Sequence, residues 1–440
     1  MTCEPRVVAG RWRFRERVLF IMIVRDQFDN GLCLITESMP EFRSVSLGVW
    51  LTRGSRHEDR LHAGIAHFVE HMLFKGTATR SAEDIAQQVD SIGGQLDAFT
   101  AKECTGYYVK VLDEHLPRAV ELLADILLRP AFNDTDIGRE KKVILEEIKM
   151  VEDIPDDLVH EIFTANFWAG HPLSRPILGS RESVNGITSG TLRDFFGSVY
   201  VARNLVVSVA GNLEHRAIQD LIAKAFEGLP IDGPSITVTP PTPQPRLLLR
   251  DKELEQSHVC LGMQGYPQDH ADRYVAYVLN TVLGGSMSSR LFQNVREKRG
   301  LAYAVSSSLM AYRDTGVVMV YAGCDTAAVG EVVQLVVAEM RNLKTVPIPE
   351  AELQRAKDHI KGNLVLGLES TTSRMSDLAR SEICFGRQID LAEHLAAIDR
   401  VTAADTQRVS ADLFTNGALA ATVLGPVDGL TLPEEQLALD

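Results

Sequence analysis

Three landmarks recur along this chain at one fixed spacing. Ile187-Thr188 is followed by Val199-Tyr200 and by a strand-like run ending at Gly211. Val401-Thr402, Leu413-Phe414 and a run ending at Gly425 repeat that order, each 214 residues later. One match of this kind means little, but a constant offset over three marks an internal duplication. A duplicated chain is held to two copies of one fold. At 440 residues it is also too long for one typical core. Between the copies, Gly228-Leu229-Pro230 through Pro243-Gln244-Pro245 is rich in Pro, Thr and Gly and reads as an extended linker. The expected organisation is an N-terminal extension (1–17), a first domain (18–228), a linker (229–246) and a second domain (247–440). Strand-like runs such as Val45–Leu51, Tyr107–Val111 and Leu205–Val209 alternate with helical stretches such as Ala82–Ile92, Leu116–Leu127 and Ile218–Phe226. The expected class is therefore α+β, as two duplicated α+β domains.

The copies differ in chemistry. Ala63 to Gly76 reads as one amphipathic helix carrying His67-Phe68-Val69-Glu70-His71. His67 and His71 are one turn apart and share a face, with Glu70 beside them. Two imidazoles so placed can both reach a Zn²⁺ at about 2.0–2.1 Å, and the carboxylate can take a proton from a metal-bound water. The order is H-x-x-E-H, the reverse of H-E-x-x-H. Such a zinc needs a third protein ligand and an open position. The segment Gly138 to Met150 is a strong helix former that holds Glu140, Glu146 and Glu147. Glu147 lies 76 residues after His71, and Glu140 lies 7 earlier on the same helical face, whereas Glu146 reads as a solvated carboxylate.

In the second half the counterpart of the His67 helix is Tyr274 to Gly285. Ala276, Leu279 and Asn280 fall where His67, Glu70 and His71 stand, and none can rebuild the site. The second half is thus expected to be a fold copy without metal.

These residues carry a resemblance. The chain resembles the pitrilysin-like inverzincin peptidases, most closely the bacterial relatives of the mitochondrial processing peptidase β-subunit. It does so from about Asp29 to about Pro426. The resemblance implies that His67, His71 and Glu147 bind one Zn²⁺ per chain and that Glu70 is the general base. It implies a supporting catalytic role for Glu140. It also implies two α+β domains, each a sheet covered by helices, enclosing a chamber. The turn and strand Gly93-Gly94-Gln95-Leu96-Asp97-Ala98-Phe99-Thr100 match a family element that lies against substrate. This assigns substrate binding to Asp97 and Ala98, with Asp97 standing where Asn is usual. Such a strand can accept an extended peptide through main-chain hydrogen bonds. Arg296 and Tyr303, seven apart, match an Arg and a Tyr that reach substrate near the zinc, where they can donate to a developing oxyanion.

Composition narrows the partners. The formal net charge of −14 argues against nonspecific binding to nucleic acid or acidic lipid. The six cysteines, Cys3, Cys33, Cys104, Cys260, Cys324 and Cys384, are scattered and form no C-x-x-C pair, which fits a reducing compartment. The basic stretch Arg11–Arg17 precedes an apolar run, Val18 to Val24, too short for a membrane span and followed by Arg25-Asp26 rather than a cleavage site. It reads as a first strand, turned by Asp29-Asn30-Gly31 into a second, Leu32 to Thr36. A cytoplasmic bacterial protein is the expectation.

Three further stretches read as structural. Leu283 to Leu291 is a helix-connecting turn that lacks the Gly-Lys-Ser/Thr of a phosphate loop. Asp156 or Asp157 is expected to cap the helix that follows the acidic run, and His160 is expected to be structural. The reaction expected is zinc-dependent hydrolysis of peptide bonds in oligopeptides or unfolded polypeptides. The family includes homodimers and heterodimers with a related subunit, and either is expected here. A non-catalytic subunit is the alternative, but this chain keeps every element of the His/Glu set. A fragment ending near Gly228 is expected to bind zinc and cleave poorly.

Overall fold

The computed structural model describes the backbone of residues 6–14 and 17–440 and the side chains from Ile23 onward. One sheet takes seven strands: β1 (Arg6–Phe14), β2 (Arg17–Gln27), β3 (Cys33–Ser38), β4 (Ser44–Leu51), β5 (Gln95–Thr100), β6 (Thr105–Leu112) and β7 (Leu205–Gly211). The other takes five: β8 (Leu247–Asp251), β9 (Ser257–Gly265), β10 (Ala302–Ala311), β11 (Gly316–Cys324) and β12 (Ala420–Gly425). Their orders are β1-β2-β3-β7-β4-β6-β5 and β10-β11-β9-β12-β8. The series β3-β7-β4-β6-β5 and β8-β12-β9-β11-β10 are the same series. Each also contains one parallel pair, β3 with β7 and β8 with β12. The duplication inferred from sequence is thus a duplication of topology.

Each strand alternates its side chains between two faces. In the first sheet Leu34, Leu47 and Val49 enter a core with Phe68, Val69, Leu123 and Ile222, from helices Ile65–Leu73, Leu116–Leu128 and His215–Ala225. Cys33, Ile35, Trp50 and Val206 point the other way, against Met375, Leu378 and Ala379 of the helix Thr371–Phe385. That helix comes from the far end of the sequence. It is fastened by Arg374 to Glu37, both buried, at 2.7 Å and by Ser46 to Thr371 at 2.9 Å. It comes so close to β4 that a Cβ on Gly48 would collide with Met375 Sδ.

The second sheet repeats the arrangement. Val259, Leu261 and Met263 pack with helices Arg273–Leu283, Val329–Thr345 and Ala403–Leu413. Cys260, Val317 and Met319 pack against Val159, Phe163 and Phe167 of the helix Pro155–Phe167, which comes from the first half of the sequence. Here Gly262, 214 residues after Gly48, makes room for Phe163.

Two compact units follow from this exchange. One comprises residues up to Ile148, Arg175–Val238 and Gly367–Asp390. The other comprises Lys149–Ser174, Thr239–Leu366 and Leu391–Asp440. The linear division at 228 and 247 therefore differs from the packing, because each sheet is closed by a helix from the other sequence half. Residues 232–246 form neither helix nor strand.

At the N-terminus, residues expected as an extension supply β1, which pairs antiparallel with β2 from Arg6↔Arg25 to Phe14↔Arg17. The helix after the acidic run begins at Pro155, with Ile154 at the cap position and no side-chain cap. Asp156 and Asp157 lie inside its first turn, where they complement the helix dipole instead of capping it. The His160 ring packs at a tilt against Tyr321 within the second unit, with centroids 5.2 Å apart. Cys33, Cys260 and Cys324 are buried, and these three with Cys104 are free thiols; Cys3 lies outside the described residues. Among the described residues, no helix is long and apolar enough to cross a membrane.

Candidate active site

The first unit carries the H-x-x-E-H helix, Ile65–Leu73, shorter at both ends than its amphipathic pattern. Ile65, Phe68, Val69, Met72 and Leu73 are buried and anchor it on the sheet. His67, Glu70 and His71 lie on the remaining face, half-buried. The helix starts at Gly64, whose φ of 92° and close approach to the Leu178 carbonyl both require glycine. Glu58, a buried carboxylate, accepts the amides of Gly64 and Ala66 at 2.8 Å each, satisfying N–H groups that the first turn leaves open. Burial pushes the Glu58 carboxyl up to about 7, against the opposing pull of those two amides and of Arg175 and Lys102.

The second element is the helix Asp134–Asp153. Ile137, Glu140, Ile144 and Ile148 form its buried face. Glu147 lies at the margin of that face, and Glu146 is exposed. His67, His71 and Glu147 each offer a ligand atom, and these atoms lie within 4.8 Å of one another. Glu147 Oε1 is 3.6 Å from His71 Nε2, and Glu147 Oε2 is 3.8 Å from His67 Nε2. Among the described residues this is the one His/Cys/Asp/Glu group arranged to hold a metal ion. Glu147 Oε2 is buried without a hydrogen-bond partner, and a carboxylate oxygen in that condition fits a cation beside it. His67 is kept neutral, with its pKa lowered to about 3 by burial and by His71. Neutral imidazole is the form that binds metal.

Glu140 meets this group through His71 and is not one of its three ligand residues. Its Oε2 lies 3.0 Å from His71 Nδ1, and its Oε1 pairs with Lys75 Nζ at 2.9 Å. Glu70 receives the Thr100 hydroxyl on Oε2 at 2.5 Å. Burial raises the Glu70 carboxyl above the usual range, while the Thr100 hydrogen bond and His71 oppose the rise.

Two family models match the chain: Insulinase (Peptidase family M16) over residues 33–181 and Peptidase M16 inactive domain over residues 186–360. An uncharacterized zinc protease of Bacillus subtilis, YmxG, is 40% identical over 91% of this chain and 98% of its own length.

The chain belongs to peptidase family M16.

Other relatives bear the same description. An uncharacterized zinc protease of Mycobacterium leprae is 40% identical over 94% of each chain. Among solved structures, a protease from Helicobacter pylori superimposes with a TM-score of 0.85 at 23% identity, covering 91% of this chain and 98% of its own. A protein described as a peptidase M16 inactive domain, from Pseudomonas fluorescens, gives 0.87 at 20% identity, covering 93% and 99%. At those identities the likeness is one of fold.

The remaining residues expected at an M16 site fall in two places. Asp97 and Ala98 are on β5, the edge strand of the first sheet, next to the His67 helix. Asp97 lies on the exposed face of the strand, where it accepts the Tyr108 hydroxyl at 2.9 Å and the Ala98 amide at 2.8 Å. Ala98 points the other way, against the apolar core. Arg296 and Tyr303 are in the second unit, within the stretch matched by the M16 inactive-domain model. Arg296 lies on a π-helical turn, Phe292–Glu297, and its guanidinium stacks over the rings of Phe292 and Tyr303 at 4.8 and 5.0 Å. Tyr303 is 78% exposed. Sequence reasoning passed over Glu58, Lys75 and Thr100. Only Thr100 had a signal: it shares the alternation Leu96, Ala98, Thr100 and is the polar member of that set.

Proposed function

We propose that this M16 chain is a zinc endopeptidase acting on oligopeptides or unfolded polypeptides. His67, His71 and Glu147 hold one zinc and Glu70 serves as general base. The observation that carries this is the convergence of those three ligand atoms within 4.8 Å, with Glu70 on the same helix face. Zinc, when bound, lowers the pKa of water towards neutrality and polarises a carbonyl.

The chain's own residues supply the rest. His71 is oriented by Glu140, whose carboxylate accepts a hydrogen bond from Nδ1–H and leaves the Nε2 lone pair on the side of Glu147. Glu70 takes a proton from the attacking water while the water oxygen bonds to the peptide carbonyl carbon. As the C–N bond breaks, Glu70 returns that proton to the leaving amine. The edge of β5 accepts the substrate as an added strand by main-chain hydrogen bonds, which do not depend on side-chain identity. Asp97 and Ala98 meet the substrate there. Arg296 and Tyr303, in the second unit, supply hydrogen-bond donors to the substrate. Assembly as a homodimer, or with a related subunit, completes the reading.

A quenched peptide library incubated with the purified protein, with and without chelator, tests the activity. Chelator-sensitive cleavage within peptides is expected. No cleavage with zinc present, alone or with any related subunit, contradicts the reading.

A further inference from the structure

Thr100 is the last residue of β5. On this strand Gln95, Asp97 and Phe99 are exposed, while Leu96, Ala98 and Thr100 turn inward. Leu96 and Ala98 pack against the apolar core. The third inward position carries a hydroxyl, and the strand itself does not need one: the Thr100 backbone is already in register with Thr105 of β6. The hydroxyl goes instead to the neighbouring helix, where Oγ1 donates to Glu70 Oε2 at 2.5 Å.

We propose that Thr100 is a positioning residue for the base. By occupying Oε2 it fixes the rotation of the Glu70 carboxylate and leaves Oε1 to take the proton from water. An unrestrained glutamate samples several rotamers, and only some aim an oxygen at the reacting water. The same residue ends the edge strand proposed to receive substrate, so base and peptide are referenced to one piece of backbone. This inference rests on the reading of Glu70 as general base.

The test compares Thr100→Val, which keeps shape and strand preference, with Thr100→Ser, which keeps the hydroxyl, each alone and combined with Glu70→Gln. Thr100→Val is expected to lower kcat about 10- to 100-fold, as for loss of one hydrogen bond to a charged group. KM is expected to stay within about threefold of wild type, because the interaction serves the chemical step. Zinc content stays unchanged, and Thr100→Ser recovers most of the loss. In the Glu70→Gln background, Thr100→Val has no further effect. Wild-type kcat in Thr100→Val, a loss carried by KM alone, or an equal loss in both backgrounds overturns the positioning role. Wild-type turnover by Glu70→Gln overturns the base assignment itself, and the positioning role with it.

Discussion

His71 Nδ1 lies 3.0 Å from Glu140 Oε2, on the side of the ring away from Glu147. The contact selects the tautomer with its proton on Nδ1, so the lone pair of Nε2 is left for a metal. His67 has no such partner, since its Nδ1 is buried without a hydrogen bond. The two imidazoles of the motif are thus unequally supported.

Glu140→Gln is expected to weaken zinc binding about 10- to 100-fold, the usual cost of losing a carboxylate behind a histidine ligand. Competition with a chromogenic chelator measures this. Unchanged affinity would mean that His71 needs no orienting partner.

Glu70→Gln and Glu147→Gln are expected to separate base from ligand. The first lowers turnover about 10²- to 10⁴-fold with zinc retained, the range for loss of a general base. The second lowers zinc content. Metal analysis beside peptide cleavage distinguishes them, and the opposite pattern would exchange the two roles.

Glu58 gives a pH signature. Its pKa in the folded chain is raised to about 7, from about 4.3 in an unfolded one, so the folded state holds the extra proton between those values. The stability linked to that proton is complete below about pH 4.3 and is lost as pH rises through 7. Against Glu58→Gln, the wild-type protein is therefore expected to lose Tm from pH 5 to about pH 7 and to level off by pH 8. A difference in Tm that does not change with pH contradicts the assignment.

A fragment ending near Gly228 lacks the helix Thr371–Phe385. Cys33, Ile35, Trp50 and Val206 are left uncovered and Glu37 loses Arg374. Removing one partner of a buried ion pair alone costs about 3–5 kcal/mol. The fragment is expected to show no cooperative thermal transition, so the zinc binding expected of it from sequence alone should fail. Co-expression with residues 229–440 should restore a single transition. A cooperatively folded fragment would show that the exchanged helix is dispensable.

The duplication was legible because equivalent strands carry equivalent sequence landmarks, and the two histidines because helical spacing sets H-x-x-E-H on one face; Glu147, on another helix, followed only from the family resemblance. The exchanged helices were not legible. Gly48 and Gly262 share the 214-residue offset, but a glycine does not say which helix will lie over it. Glu58 was hidden for another reason: its partners are backbone amides, which leave no mark in a side-chain pattern. Arg296 and Tyr303 were read from a spacing of seven, but their stacking joins a π-helical turn to strand β10, a contact that no single periodicity encodes.

Zinc titration of the chelated full-length chain, followed by cleavage of a quenched peptide, tests the central claim most directly. The account predicts activity that rises linearly and breaks at one zinc per chain, because the described residues form one suitable ligand group. A break at two zincs per chain, or full cleavage by the metal-free protein, would contradict it.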